Sequence, residues 1–153
     1  MSEANKVIVR RYREIHNTNQ LDKLSEVLSQ DFTPHTFMDG MPWNGIESAK
    51  QVHLLGKASF PDMNVTTDDL IAEDDKVVER WTQTQTHTGE PFMNIPASNQ
   101  TITFTGISIY RIANDRIVEH WANMDLFGML VQMGAIPMPG LSVFLGSQPS
   151  NSV

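Results

Sequence analysis

The sequence predicts an α+β domain in which helices pack on one face of a curved antiparallel sheet. Three observations carry that prediction. Helical spacing of apolar residues is concentrated before Pro61. From Met63 to Asp125 the chain instead reads as nearly all strand, with side chains alternating in twos where the signal is clearest. Short turn-forming clusters, not helices, join most of the alternating stretches, which is the signature of a meander.

Glu3 to Thr18 forms an amphipathic helix on this reading, with Ile8, Tyr12 and Ile15 at helical spacing and Val9 beside them. The Arg10, Arg11 and Arg13 cluster is read as a solvated helix face. After the break at NTNQ, Leu21 to Leu28 reads as a second short helix. The two make a helical hairpin able to lie across the mouth of a sheet. Gln30 to Met38 turns extended, and Pro34 pushes the chain toward extended geometry just before His35. Asp39, Gly40 and Pro42 mark a loop holding Trp43, which either packs or lines a pocket rim. Ile46 to Phe60 is a third helix, stopped by Pro61. Strands follow at Met63–Glu73 and Val77–His87. Along the second and just past its end, Thr82, Thr84, Thr86 and Thr88 alternate with Gln83, Gln85 and His87. Polar residues on both faces mean that one side is solvated and the other lines a wet cavity or a subunit contact. A loop with Pro91 and Pro96 leads to a strand at Thr101–Ile112, and Ala113-Asn114-Asp115 turns the chain into the stretch Arg116–Asp125. Leu126 to Met133 is a short helix.

The totals narrow the function classes. At 153 residues the chain is one domain of ordinary size. A formal charge of −7 disfavours nucleic acid or anionic membrane as a partner. Cysteine is absent, so disulfides, thiolate metal sites and cysteine nucleophiles are excluded. The first residues carry charges through their apolar run, unlike a signal peptide, and a cytoplasmic location is the default expectation. No Lys, Arg, Asp or Glu occurs from Leu126 onward. Glycines and prolines punctuate that segment, so it is not a membrane span. It is expected to bury Phe144 and Leu145 against a neighbouring surface, such as a dimer partner. The domain then runs over 1–146, and 147–153 form a flexible tail.

The stretch RIVEHWANMD carries polar chemistry on a strand. Alternation puts Val118, His120 and Ala122 on one face and Ile117, Glu119 and Trp121 on the other. An imidazole beside a small residue on a concave wall either belongs to a pocket or satisfies a core hydrogen bond. His35, His53 and His87 are further candidates to approach the same cavity, though His87 also suits a surface loop. The five histidines are dispersed, with no His-x-His or His-Glu-x-x-His spacing, so no metal site is expected. There is likewise no P-loop, dinucleotide fingerprint or G-x-S-x-G elbow.

Four separated phrases agree on one family. They are FPDMNVTTDDLIAEDDKVVERWT (Phe60–Thr82), THTGE (Thr86–Glu90), TFTGISIYRI (Thr103–Ile112) and RIVEHWANMDLFGMLVQMG (Arg116–Gly134). In this order they resemble the SnoaL-like polyketide cyclases, also called the ester cyclase family. The resemblance implies a cone-shaped α+β barrel of the nuclear transport factor 2-like superfamily. That fold also serves ketosteroid isomerases, scytalone dehydratases and limonene epoxide hydrolases, so it decides no reaction. Cyclases of the family close a polyketide ring by intramolecular aldol condensation. They use no metal and no lysine Schiff base, and rely on a pocket carboxylate as general acid/base.

The position that resemblance assigns to the carboxylate, directly after the tryptophan of EHW, is Ala122 here. Alanine moves no proton, and a general base typically contributes about 10²–10⁴-fold. Asp125 lies an odd number of residues further on and faces the other way on a continuing strand. It is either a second acid/base or the N-cap of the following helix. His120 keeps a proton carrier on the face of Ala122. Two readings therefore stand. One is a cofactor-free cyclase-related enzyme acting on a hydrophobic oxygenated small molecule through His120 and Asp125, with His35, Trp43, His53, His87 and Ala122 around the substrate. The other is a non-catalytic small-molecule carrier on the same fold. A homodimer is expected on either.

Overall fold

The computed structural model describes residues 2–35 and 44–140. Helix α1 (Ser2–Thr18) leads into a 3-10 turn (Leu21–Glu26) and strand β1 (Leu28–His35). Helix α2 (Gly45–Ser59) follows, then β2 (Asn64–Glu73), β3 (Lys76–Thr86), β4 (Thr101–Ala113), β5 (Arg116–Met124) and α3 (Leu126–Gln132). Trp43, Phe144, Leu145 and the segment 147–153 lie outside the described residues. No helix among the described residues is long and apolar enough to cross a membrane.

The five strands form one curved sheet in the order β1-β5-β4-β3-β2. It does not close into a continuous barrel. The meander β2-β3-β4-β5 is antiparallel, as the alternation predicts, while β1 pairs with β5 in parallel. The β4–β5 turn is Asn114-Asp115, both left-handed at φ 50° and 56°. Asn and Asp tolerate that conformation, which matches the right-handed twist of a two-residue hairpin.

The second apolar run differs from expectation. Leu21, Leu24, Val27 and Leu28 fit a helical face, but the helix stops after one 3-10 stretch and Leu28 opens β1. A short run of this kind suits either structure, and here pairing with β5 decides it.

Two apolar clusters flank the concave face. One joins Val9 and Ile15 of α1 to Leu28, Phe32, Val77, Tyr110 and Ile117. The other joins Phe60, Met63 and Val65 to Trp81, Ile102, Phe104, Met129 and Met133.

The arginine cluster of α1 splits. Arg10 is exposed, and Arg11 bridges Glu14 and Glu26 at the surface. Arg13 turns inward and meets Glu79, which is completely buried, with Nη2 to Oε2 at 2.6 Å and Nε to Oε1 at 3.1 Å. Thr67 and Tyr110 donate their hydroxyls to the same carboxylate at 2.6 and 2.8 Å. A buried ion pair persists only when its remaining hydrogen bonds are made, and here they are.

Candidate active site: a cavity with a tethered imidazole on its sheet wall

Strand alternation selects which side chains face the concave side. Trp81, Gln83 and Gln85 of β3, Ser108 and Tyr110 of β4, and His120, Ala122 and Met124 of β5 line a cavity of about 320 Å³. Thr82, Thr84 and Thr86 fall on the opposite face. The register sets His120 against Tyr110 and Ala122 against Ser108. Helix α1 adds Tyr12, Arg13 and His16, and α2 adds Val52, His53 and Gly56. The wall is mostly apolar, with a few convergent polar groups, as small-molecule sites are. No Asp or Glu lines it among the described residues.

His120 is held on two sides. Its Nε2 lies 3.0 Å from the Ser108 hydroxyl, and its ring stacks on Tyr110 at 4.7 Å with 8° between the planes. Ser108 also accepts from the Trp81 indole N–H at 2.9 Å. Burial pushes the His120 imidazole down to about 4, with the Arg13 charge adding to the effect. The ring is therefore neutral at pH 7, presenting one N–H and one lone pair.

Gly106 makes this arrangement possible. A Cβ there would lie 2.2 Å from Trp81 Cζ2, so only glycine lets the indole cross β4 to reach Ser108. Glycine inside a strand often marks such a close approach.

His53 also lines the cavity, opposite the sheet. It is buried, bonds Asn19 Oδ1 through Nε2 at 3.0 Å, and packs edge-on against His16 at 4.4 Å. Burial, helped by the nearby Lys57 charge, lowers it to about 4. His16, which the sequence reading did not single out, is lowered as well, first by burial and then by Arg13 and His53. Its signal was its helical phase, one turn after Tyr12 on the apolar side of α1.

The other candidates sit elsewhere. His35 stacks on Trp121 at 4.9 Å and lies 3.2 Å from Glu119, on the convex face. His87 is fully buried under the β3–β4 loop, where Nε2 donates to the Glu90 carbonyl at 3.1 Å and Nδ1 accepts from Ser98 N–H at 3.4 Å. Asp125 is exposed and caps α3, accepting from Gly128 N–H at 2.8 Å. None of these three lines the cavity.

An open curved sheet with helices over its concave side, enclosing an apolar cavity, defines a nuclear transport factor 2-like α+β protein. Within that class the chain belongs to the SnoaL-like polyketide cyclase family, whose model matches residues 6–133. Solved structures agree. IdmH from Streptomyces antibioticus, a candidate polyketide cyclase, is 28% identical over 85% of this chain and 98% of its own, with a TM-score of 0.75. TsrD from Streptomyces laurentii is 25% identical, covering 88% of this chain and 97% of its own, with a TM-score of 0.78. AclR from Streptomyces galilaeus, a candidate hydroxylase, shares the fold at a TM-score of 0.83, with 22% identity over 96% of this chain and 95% of its own. No protein of curated function matches the chain.

Proposed function

We propose that this chain takes a hydrophobic, oxygen-bearing small molecule into the cavity and transforms it by cofactor-free acid/base chemistry of the polyketide-cyclase kind, with His120 as the acid/base group. The carrying observation is a neutral imidazole on the sheet wall, tethered to Ser108, facing an apolar cavity that no acidic side chain lines among the described residues; the other two imidazoles of the lining, His16 and His53, come from the helices. Positioned proton transfer contributes about 10²–10⁴-fold to a rate. The test is turnover of aromatic β-keto esters, followed by chromatography. His120→Leu should lower it by about 10²-fold or more while leaving the circular dichroism spectrum unchanged; equal turnover in both proteins would remove His120 from the role.

Ala122 favours a second reading, that of a carrier. Its methyl group faces the cavity where the resemblance places a carboxylate. If the parent binds such esters without turning them over, and Ala122→Asp turns them over, the carrier reading holds. Turnover by the parent removes it.

A homodimer through the convex face belongs to the same proposal. Ile71, Val78, Ile109 and Trp121 lie in one register row across β2, β3, β4 and β5, with His35 of β1 stacked at its end. Ile71 and Ile109 are exposed. Ile109→Lys should turn a sedimenting dimer into a monomer, and an unchanged sedimentation coefficient would exclude this face.

A further inference from the structure

Ser108 decides which nitrogen of His120 carries the proton. The residue is 1% exposed, and its hydroxyl has two partners, Trp81 Nε1 at 2.9 Å and His120 Nε2 at 3.0 Å. An indole N–H only donates, so it fills one lone pair of the Ser108 oxygen and cannot take the Ser108 proton. No other described residue accepts that proton. Two arrangements follow. Either Ser108 donates to a bare Nε2, or both rings donate to one oxygen and the sealed hydroxyl proton has no acceptor. The penalty for a buried unpaired hydroxyl favours the first by about tenfold or more. A neutral ring that accepts at Nε2 must carry its proton at Nδ1. Among the described residues, the sealed nitrogens without partners are Nδ1 of His16 and Nδ1 of His53; Nδ1 of His120 is not one of them.

We propose that Trp81 and Ser108 are positioning residues that lock His120 as the Nδ1–H tautomer, and that the ligand group it meets is a carbonyl oxygen of a ketone or ester. The proposal rests on the cavity being the ligand site, as argued above. A neutral N–H donor in apolar surroundings strengthens its hydrogen bond as negative charge grows on that oxygen. Stacking on Tyr110 fixes the ring plane, so the donor direction is set before the ligand arrives. Gly106 belongs to the same device, because it alone leaves room for the indole.

The lock is measured without any ligand. Long-range 1H–15N correlation spectra of histidine-labelled protein at pH 7, with His120 assigned by its loss in His120→Gln, should show the Nδ1–H pattern. Ser108→Ala should shift the tautomer ratio about tenfold toward Nε2–H. An Nε2–H pattern in the wild type would overturn the lock, whatever the variant does. The carbonyl half is read with two probes of the same shape, acetophenone and ethylbenzene. Acetophenone should bind about tenfold more tightly than ethylbenzene, and His120→Leu should abolish that preference. Equal affinity in the wild type would overturn it. Binding of neither probe would remove the ligand half together with the functional reading, while the wild-type tautomer still decides the lock.

Discussion

Glu79→Gln keeps the shape of the side chain and removes its charge. The carboxylate accepts from Arg13 Nε and Nη2, Thr67 and Tyr110 over 2.6 to 3.1 Å. The amide leaves the Arg13 cation, whose side chain is only 11% exposed, without a counter-charge. Breaking one side of a buried pair costs about 3–5 kcal/mol. A domain of this size loses about 2–4 °C of Tm per kcal/mol, so Tm should fall by about 12 °C in thermal unfolding at pH 7. Replacing both partners, as Arg13→Met with Glu79→Leu, should recover at least half of that loss. The recovery is incomplete because the Thr67 and Tyr110 hydroxyls lose their acceptor. The pH dependence has a definite sign. Burial pushes the Glu79 carboxyl up, but the hydrogen bonds and charge of Arg13, with Thr67 and Tyr110, more than reverse it and hold it below its ordinary value of 4.5. Its stabilisation is therefore present above pH 4.5 and lost as pH falls through the lowered value, so the gap between variant and parent should narrow in acid. A fall in Tm of less than about 3 °C at pH 7 would refute the reasoning.

Three further outcomes follow from the site. Asp125→Ala should cost about 1 kcal/mol, the worth of an N-cap, and leave ligand affinity unchanged in a binding titration; lost binding would place Asp125 in the site. Gly106→Ala forces the indole aside and should cost about 1–3 kcal/mol in denaturant unfolding, with a displaced Trp81 indole N–H resonance; an unmoved resonance would show that the strand absorbs the methyl group. His53 and His120 are both pushed down to about 4, so the unfolded chain binds more protons between their ordinary 6.5 and that value. Their contribution is complete above pH 6.5 and declines as pH falls toward 4, by up to about 1.4 kcal/mol per pH unit for each. His53→Gln should flatten the measured slope of unfolding free energy against pH, and an unaltered slope would contradict the depressed value.

The elements legible in the sequence are those whose signal is local. Thr82 to Thr86 alternate, and the alternation alone assigned Gln83 and Gln85 to one face. Asn114-Asp115 is a turn by its own chemistry. Asp125 sits before an apolar run as a cap does, and parity put His120 and Ala122 on a shared face. What escaped depends on distant chain. Nothing near Leu28 reveals that it will pair in parallel with Ile117. Arg13 looks like Arg10 and Arg11 until Glu79, on another element, gives it an inward partner. A clue was present in VVERW, where a carboxylate shares strand parity with Trp81, the side that also bears Gln83 and Gln85. The Trp81–Ser108–His120 chain joins three strands, and only the register brings its atoms together. His87 was ambiguous because a loop histidine and a cavity histidine have the same local sequence; the Glu90 carbonyl and Ser98 amide decide its place.

The most direct test of a neutral, cavity-facing His120 is a pH titration of the imidazole C–H resonances of all five histidines by NMR. His120 should stay uncharged until the pH approaches about 4, and its resonances should move when acetophenone is added at pH 7. A His120 resonance that titrates at its ordinary 6.5 and ignores the ketone would contradict the account.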